Sequence, residues 1–549
     1  MRGLPLFLVV IIVVGTQATS TYDFVVIGSG GAGSVLGADL SANDSVTVLV
    51  LEEGEDRSLE VEKNVFLYGD INADPTVASD FSNRIVFNKH LYTQEKAMAA
   101  RSLYYPLPNL AGGAASVNGN AFNCPTRKDF EGWKVTGWTY DELIDDYRSL
   151  ETYAQCFTTG CNTTVHGTSG PINVTSIPPD ANLQHVKEAI ATVFGLSEND
   201  DTNDGDAEGI GIMTRNIDVT NAGPRRQDSF SQVLKPVLSR TNLKLLTSAY
   251  VLAIRINPNG TNEVVYLNSN KTTVTVQVTK EIVISAGVMG SPKILLLSGI
   301  GNCTQLESLG IECVVNNTNV GKNLRESVLT TAVYISALPP PPFSNGSIIS
   351  AYYKSPGYDG PTTNMEISAT GLFTSGFYVI GLQLTHLLHS DVGEIYLKSD
   401  FALENPRVTL NLYKNESEIG ALVDQFKKMR LAMNMITMPD PLNLFSFIPQ
   451  YVEIAPGYQK VPPTATDADI ATYLKGSVNP AWHAVGTCSI KKVVDERLRL
   501  IDGNGNIIQG IRVADNSIIP ERLSTHATSC SAMWIGKIAS RLIKEDWNL

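Results

Sequence analysis

The clearest pattern of hydrophobic and polar positions lies near the amino-terminal end of the chain. Tyr22–Ile27 is a short apolar run, followed directly by a glycine-rich turn that contains Gly28, Gly30 and Gly33. Small and apolar residues then recur at helical spacing, and a second apolar run spans Val46–Leu51. Short apolar runs beside turn signals are typical of buried strands. The sequence therefore predicts strand, tight turn, helix and strand in this order.

A turn of this kind binds a dinucleotide because glycine meets three separate needs there. The turn requires unusual dihedral angles, the backbone must approach a pyrophosphate, and helix and strand must pack closely. The pyrophosphate then lies at the helix N-terminus, where free N–H groups and the helix dipole favour negative charge. The glycine pattern alone is weak evidence, because glycine-rich turns are common.

The residue that ends the second strand strengthens this interpretation. Glu52 lies 19 residues beyond Gly33, where a dinucleotide fold has the acid that binds a ribose hydroxyl. The alternative for Glu52 is a solvated strand end. The pattern predicts a dinucleotide site without distinguishing NAD from FAD.

Length, composition and charge narrow the class of protein. A chain of 549 residues favours two lobes that share a cleft. Hydrophobic residues make up 43% and charged residues 18%, as in ordinary globular proteins. The net charge of −13 argues against nucleic acid or an anionic membrane surface as a partner, since both are met by clustered Lys and Arg.

The first twenty residues predict a secretory signal peptide. A basic residue precedes an apolar run of 11 residues, Leu4–Val14, and small residues follow up to Ser20. The run is shorter than the roughly 20 residues that span a bilayer, so a retained anchor is only the alternative. We expect an extracellular protein that begins near Thr21 and has no stable membrane anchor.

Secretion also predicts glycosylation. The acceptor pattern Asn-x-Ser/Thr occurs nine times, at Asn43, Asn162, Asn173, Asn259, Asn270, Asn302, Asn316, Asn345 and Asn415. So many acceptor sites are unusual for a cytosolic protein. We therefore predict a secreted glycoprotein.

The seven cysteines fit an oxidising compartment. Cys156 with Cys161, and Cys303 with Cys313, are close enough in sequence to close small disulfide loops. The other three, Cys124, Cys488 and Cys530, are expected to be buried thiols. Since no Cys/His cluster has metal-ligand spacing, we expect no metal site.

From residue 22 to the C-terminus the chain resembles the glucose-methanol-choline oxidoreductases, a family of flavoproteins that oxidise alcohols and sugars. The matching blocks occur in the family's order, namely Asn109–Trp133, Gly137–Tyr147, Ser285–Gly301, Asn319–Leu324, Gly393–Tyr413, Trp482–Ile490, Val493–Leu500 and Ile511–Ile543. The resemblance implies an α/β, Rossmann-like FAD-binding domain and a discontinuous α+β substrate-binding domain on an antiparallel sheet. Gly393–Tyr413 is expected in that second sheet.

The two domains are expected to alternate along the chain. The predicted division is a signal peptide at 1–20, FAD-binding segments at 21–160, 221–325 and 477–549, and substrate-domain segments at 161–220 and 326–476. The proline run Pro339–Pro342 cannot continue a helix or a central strand. We expect it to form a loop at the edge of the cleft, with a simple surface turn as the alternative.

The resemblance also implies which further residues contact the cofactor. Gly112, Gly113 and Asn118 would line the flavin and its pyrophosphate, Val251 would meet the adenine through its backbone, and Asp515 would lie near the ribityl chain and pyrophosphate.

The sequence departs from the family at two places. Some relatives bind the flavin covalently through a histidine where this chain has Val117, so non-covalent FAD is expected. Relatives often have an acid–histidine pair where this chain has Arg325–Ser327, which leaves the contacts at the substrate edge undecided.

Two of the seven histidines, His483 and His526, occupy the family's active-site positions. His526 precedes a predicted last helix at about 528–543, and by itself it could equally be a helix cap. Imidazole can accept a hydroxyl proton near neutral pH. We expect His483 to act as the base while His526 stabilises the developing alkoxide, although the roles could be shared or reversed. The N-terminus of the last helix would stabilise the anionic reduced flavin.

These features predict a secreted FAD-dependent oxidoreductase that acts on the CH–OH group of an alcohol or sugar. Two alternatives remain open at this point, a hydroxynitrile lyase on the same fold and a non-catalytic secreted protein. The identity of the alcohol, the acceptor that reoxidises the flavin, whether oxygen or another molecule, and the oligomeric state stay undecided.

Overall fold

The computed structural model describes most of the chain. The described residues are 20–61, 89–92, 102–219, 224–257, 261–336, 346–374, 377–437, 450–457, 459–525 and 528–549. The predicted signal peptide and Pro339–Pro342 therefore lie outside the described residues, and so does His526.

Two large sheets organise the described part of the fold. Their strands are β1 (Ser20–Ile27), β2 (Val48–Leu51), β3 (Gly209–Ile212), β4 (Leu243–Leu246), β5 (Tyr250–Arg255), β6 (Asn262–Leu267), β7 (Thr273–Ile284), β8 (Val328–Ser336), β9 (Ile348–Tyr353), β10 (Met365–Thr374), β11 (Phe377–His386), β12 (Tyr451–Ala455), β13 (Asn479–Pro480), β14 (Arg499–Ile501) and β15 (Ile507–Val513). Shorter strands pair outside them, namely Lys89–Tyr92 with Tyr104–Leu107, Glu151–Tyr153 with Ile172–Ser176 and Thr214–Arg215, Ile217–Asp218 with Arg225–Arg226, Ile300–Gly301 with Val315–Asn316, and Glu394–Tyr396 with Arg407–Thr409.

Helices cover the faces of these sheets. They are α1 (Gly31–Leu40), α2 (Ser58–Val61), α3 (Arg127–Trp133), α4 (Tyr140–Arg148), α5 (Ala181–Phe194), α6 (Gly287–Leu297), α7 (Cys303–Ser308), α8 (Ile419–Met435), α9 (Asp467–Ser477) and α10 (Thr528–Trp547). The predicted last helix is confirmed, and it continues four residues past the predicted end.

The first sheet has the order β4–β2–β1–β7–β6–β5, and β15 also pairs with β7. Its neighbours β4, β2, β1, β7 and β15 run parallel, whereas β7, β6 and β5 form an antiparallel meander. The predicted strand–turn–helix–strand unit is confirmed as β1, α1 and β2. Strand β2 is buried at all four positions, which explains its continuous apolar run.

The second sheet is antiparallel, with the order β12–β8–β11–β10–β9–β3 and β13 beside β8. The expected combination of a largely parallel sheet and an antiparallel one is thus confirmed. One detail of the prediction is wrong, because Glu394–Tyr396 and Arg407–Thr409 form a separate two-stranded sheet. Among the described strands these two pair only with each other, across a long loop, so they add no strand to the larger sheet.

The N-terminal turn and the last helix pack against each other through residues with little or no side chain. A methyl group added at Gly31 would lie 2.8 Å from Ala532 Cβ, and one at Gly536 would lie 2.5 Å from the Ala32 carbonyl oxygen. The two helices can therefore approach closely only because these positions are glycine. Within the described residues, no helix combines the length and apolar character needed to cross a bilayer.

Candidate active site

The predicted cofactor residues meet at one edge of the first sheet. Gly28 follows β1 directly, Glu52 follows β2, and Asp515 lies two residues beyond β15. Because these three strands belong to the parallel part of the sheet, their carboxyl ends share an edge. All three residues line one cavity of about 1030 Å³ between the two sheets.

The glycine turn has the shape that the sequence predicts. Gly28 has a φ of +98°, and a methyl group there would lie 2.5 Å from the Ser285 carbonyl oxygen. At Gly33 an added methyl would lie 1.9 Å from the Gly28 carbonyl oxygen, so turn and helix touch through their backbones. Gly30 has no atom within 4 Å of such a methyl and lines the cavity. The turn thus leaves an open cradle at the start of α1 that fits a pyrophosphate.

Glu52 is held rigidly at the cavity wall. Its Oε2 accepts hydrogen bonds from the Ser29 N–H at 2.9 Å and the Ser29 hydroxyl at 2.8 Å, and its Oε1 accepts one from the Gly54 N–H at 2.8 Å. Burial raises the pKa of Glu52 while these donors oppose the rise. Because a carboxylate has about four acceptor sites, Glu52 retains acceptor capacity for a ribose hydroxyl.

A second loop, from Gly112 to Asn118, closes over the glycine turn. Gly112 and Gly113 have φ values of +94° and +55°, and the Gly112 N–H donates to the Ser29 carbonyl at 3.0 Å. Gly113 and Asn118 line the cavity, and Val117 does so as well. The structure therefore brings the two predicted cofactor loops into direct contact, with Gly112 just behind the lining.

Arg226, which sequence reasoning missed, fixes the end of this loop. Its guanidinium donates to Asn118 Oδ1 and to the Asn118 carbonyl, both at 2.6 Å, and to the Ala115 carbonyl at 3.2 Å. The residue is fully buried, and burial lowers its pKa to about 10. No sequence motif marks Arg226, because its partners lie more than 100 residues away.

The remaining predicted cofactor residues also reach the cavity. Val251 lies on β5, the last strand of the first sheet, so one edge of its backbone has no neighbouring strand among those described. Asp515 accepts hydrogen bonds from the Gly287 N–H at 2.8 Å, the Ser291 hydroxyl at 2.5 Å and the Ser517 N–H at 2.8 Å. Burial raises the pKa of Asp515 against the effect of these donors.

His483 lines the same cavity, and a buried carboxylate holds its backbone. Glu326 Oε1 accepts from the His483 N–H at 2.8 Å, and Glu326 Oε2 accepts from the Tyr105 hydroxyl at 2.8 Å. Burial raises the pKa of Glu326 to about 7. Glu326 is the acid at the position where the sequence departs from the family, and only the structure shows that it connects the histidine loop with the cavity wall at Tyr105.

The described residues on both sides of position 526 are attached to one short segment, residues 124–129. The Ser524 N–H and hydroxyl each donate to Asp129 at 3.0 Å, and the Thr525 hydroxyl donates to the Cys124 carbonyl at 3.1 Å. Cys530, in the first turn of α10, forms a disulfide with Cys124. Residues 124–129 therefore fix both flanks of His526.

This disulfide corrects the prediction that Cys124 and Cys530 are buried thiols. They are buried but bonded to each other across a sequence separation of 406, which the sequence alone cannot reveal. The two short-range pairs, Cys156–Cys161 and Cys303–Cys313, form as expected. Cys488 is a buried free thiol, also as expected, and burial raises its pKa.

Three possible metal ligands come together behind the His483 loop, at His389, Asp391 and Glu418. A cationic side chain already lies among them, because Arg522 Nη2 is 3.4 Å from His389 Nδ1 and Arg522 donates to the backbone carbonyls of His389 and Asp391. Burial and the charge of Arg522 lower the pKa of His389 well below its ordinary value. The cluster is a polar network around a guanidinium, with His389 and Asp391 buried and Glu418 half-buried.

Comparison with known proteins identifies relatives over nearly the whole chain. Family models described as GMC oxidoreductase match residues 22–328 and 389–536. An oxygen-dependent choline dehydrogenase of Brucella anthropi is 27% identical over 94% of both chains.

Solved structures show the same fold at lower identity. A pyridoxine 4-oxidase from Mesorbium loti has a TM-score of 0.78 at 20% identity, with 95% of this chain and 99% of that chain covered. An FAD-dependent oxidoreductase from Chaetomium thermophilum has a TM-score of 0.80 at 22% identity, with 96% and 100% covered.

Proposed function

The chain belongs to the GMC oxidoreductase family, and on that premise we propose that it is a secreted enzyme that binds FAD without a covalent bond and oxidises the CH–OH group of an alcohol. The observation that carries the proposal is the shared cavity, in which His483 lies together with the glycine turn and Glu52. One cavity thus holds a dinucleotide cradle and a candidate base. FAD, when bound there, supplies the hydride acceptor.

The cavity residues fit the cofactor by their chemistry. The open cradle at Gly30 faces the start of α1, where N–H groups favour a pyrophosphate. Glu52 supplies acceptors for a ribose hydroxyl, and the backbone edge at Val251 remains for the adenine. Gly113, Asn118 and Asp515 complete the wall in the roles that the family resemblance implies, and Gly112 lies just behind it.

The chain's own residues handle the proton. His483 accepts the hydroxyl proton of the substrate, since a neutral imidazole is basic enough near neutral pH. Glu326 holds the backbone of His483 and so fixes where the ring enters the cavity. We expect His526 to donate a hydrogen bond to the developing alkoxide, and the described neighbours Ser524 and Thr525 are attached to residues 124–129.

An anaerobic experiment tests this function. The purified protein is mixed with aryl, aliphatic, amino and sugar alcohols, and the flavin absorbance is followed before air is admitted. Bleaching by an alcohol supports oxidation, whereas cyanohydrin cleavage without bleaching would indicate a lyase. A flavin that no alcohol or cyanohydrin changes would favour a non-catalytic protein. Recovery of the absorbance in air would show that oxygen can serve as the acceptor.

Val117 supports non-covalent binding, because an aliphatic side chain lines the cavity where some relatives have the attaching histidine. Acid precipitation of the protein should release yellow FAD into the supernatant. Colour that remains in the pellet would contradict this part of the proposal.

The acceptor asparagines support secretion. None of the seven that are described is buried, and four of them are exposed, at Asn162, Asn270, Asn316 and Asn415. Peptide mapping of native protein should find glycans on several of these asparagines and an N-terminus near Thr21. An intact Met1 and unmodified asparagines would contradict secretion.

A further inference from the structure

The second sheet forms a wall of the cavity that the cofactor residues do not use. We call this part the substrate chamber. Its described wall residues on the second sheet are Leu329, Thr331, Ala332 and Val333 on β8, Ile348 on β9, Ser368, Ala369 and Thr370 on β10, and Gly381, Leu382 and Gln383 on β11.

Strand alternation identifies which of these side chains face the chamber. On β8, Thr331 is exposed and Val333 is half-buried. Their chain neighbours Thr330 and Ala332 are buried. On β11, Gln383 is exposed in the same way. Successive side chains of a strand point to opposite faces of the sheet. The face that contains Thr331, Val333 and Gln383 is therefore the one that faces the cavity.

The strand register arranges the residues on this cavity-facing side of the sheet in two rows. Thr331 pairs with Gln383, and Gln383 pairs with Ser368, which gives a polar but uncharged row across three strands. The Ser368 hydroxyl lies 3.5 Å from Gln383 Oε1. The next row contains Val333, Gly381 and Thr370, followed by Ile348. Neither row contains a charged side chain or an aromatic ring.

The charges of the cavity lie elsewhere. Among the described residues that line it, the carboxylates are Glu52, Glu53 and Asp515, which all follow strands of the first sheet at the cofactor edge. The edge of the chamber has a cation instead. The Arg215 guanidinium donates to the Gly346 carbonyl at 2.5 Å and to the Gly119 carbonyl at 3.3 Å, and all three residues line the cavity.

Two aromatic rings, Tyr105 and Trp482, line the cavity close to the His483 loop. A quaternary ammonium is recognised by an aromatic cage, and a charge that leaves water needs a partner of opposite sign. The carboxylate beside these rings, Glu326, does not line the cavity, and its oxygens already accept hydrogen bonds from the Tyr105 hydroxyl and the His483 N–H. The two rings therefore present an apolar surface to the chamber rather than a cation site. The positive charge of Arg215 adds repulsion for a second cation.

Resting on the proposed alcohol oxidation, we propose that the substrate is an uncharged alcohol with an apolar body, and that this enzyme discriminates against quaternary amino alcohols. Choline is the relevant test compound because the relative that is 27% identical is an oxygen-dependent choline dehydrogenase. The row that contains Val333 and Ile348 receives the apolar body together with the rings of Tyr105 and Trp482, and the hydroxyl points toward His483.

Matched substrate pairs test the proposal with the purified FAD-containing enzyme. Choline is compared with 3,3-dimethylbutan-1-ol, in which carbon replaces the charged nitrogen, and 4-(trimethylammonio)benzyl alcohol is compared with 4-tert-butylbenzyl alcohol. Anaerobic stopped-flow gives the second-order rate of flavin reduction for each. We expect the neutral member to be faster by at least about tenfold in each pair that reacts, since a buried cation without a partner is costly.

Variants at Gln383 add a second measurement. Gln383→Glu places a carboxylate of nearly the same shape on the chamber wall and should shift the rate ratio toward the charged member by at least about threefold, as a partner for the cation. Gln383→Met removes the same amide without adding charge and should not shift the ratio toward the charged member.

The outcomes separate this inference from the proposed function. A charged alcohol that reacts as fast as its neutral counterpart in wild-type protein overturns the substrate class while leaving alcohol oxidation intact. An equal shift of the ratio by Gln383→Glu and Gln383→Met overturns the assignment of Gln383 to the substrate wall. If neither pair nor any other alcohol reduces the flavin, the proposed function itself fails.

Discussion

The cofactor end and the histidine end of the cavity are built in different ways. At the cofactor end, Gly28, Gly33 and Glu52 come from one stretch of 25 residues, and the glycines act through their backbone. At the histidine end, Glu326 and His483 are 157 residues apart and contact each other through a carboxylate. We therefore expect the cofactor end to be damaged by substitutions that add a side chain, and the histidine end by substitutions that remove one.

The most general loss is expected from an added methyl group at the cofactor end, because protein without flavin cannot carry out the reaction at all. Gly33→Ala would bring a methyl to 1.9 Å from the Gly28 carbonyl oxygen, and the backbone of the turn would have to move. We expect flavin content to fall by more than about tenfold, because the close turn–helix packing that the site needs is lost. Flavin absorbance per protein measures this.

Gly132→Ala is the matched control, since no atom lies within 4 Å of its added methyl. That variant should fold and carry its full content of flavin. Circular dichroism of both variants separates lost binding from lost folding. A folded Gly33→Ala protein with normal flavin content would show that the turn tolerates added atoms.

The next effect comes from removing a side chain at the histidine end. His483→Ala should keep its FAD, because the predicted cofactor contacts lie in the turn, Glu52 and the second loop. Flavin reduction should slow by about 10² to 10⁴, the usual effect of losing a positioned base. Anaerobic stopped-flow with a good substrate gives the rate, and a wild-type rate would rule out His483 as the base.

Position 526 sharpens the distinction between a base and a hydrogen-bond donor. His526→Asn keeps a donor for the alkoxide and should slow reduction less than His526→Ala. Equal rates for the two variants would remove the hydrogen-bond role.

The disulfide between Cys124 and Cys530, in the first turn of α10, should have an intermediate effect. Replacing Cys124 and Cys530 with Ser frees the start of α10 and should lower the free energy of unfolding by about 2–4 kcal/mol. Flavin reduction should also slow, while the affinity for FAD changes less. Denaturant unfolding and stopped-flow measure the two effects.

The matched control replaces Cys156 and Cys161, which are only five residues apart. A shorter loop contributes less to stability, and this pair is not attached to the start of α10. If both double variants reduce their flavin at the same rate, the Cys124–Cys530 bond has no positioning role.

The smallest effect is a pH dependence of stability at Glu326. Its pKa of about 7 lies above its ordinary value of 4.5, so the folded state binds more protons than the unfolded state between these values. Glu326 therefore contributes to the free energy of unfolding at low pH, and this contribution is lost as pH rises through about 7. Glu326→Gln resembles the protonated acid and does not titrate. Its Tm relative to wild type should therefore increase by a few degrees from pH 5 to pH 7.5; a constant or decreasing difference would contradict the assigned burial.

The sequence by itself determined the cofactor end. The spacing of Gly28, Gly30, Gly33 and Glu52 was enough to predict strand, turn, helix and acid, because these contacts form between neighbouring segments of a βαβ unit. It also identified His483 as a candidate, and the structure places this residue in the same cavity. The two short-range disulfides were predictable for the same reason.

The tertiary structure decided the histidine end and the substrate chamber. The partners of Asn118 and His483, namely Arg226 and Glu326, come from segments more than 100 residues away, and the partner of Cys124 is 406 residues away. The neutral rows of the chamber depend on strand register across β8, β10 and β11. Such contacts depend on how whole sheets pack, and no local pattern of residues records that packing.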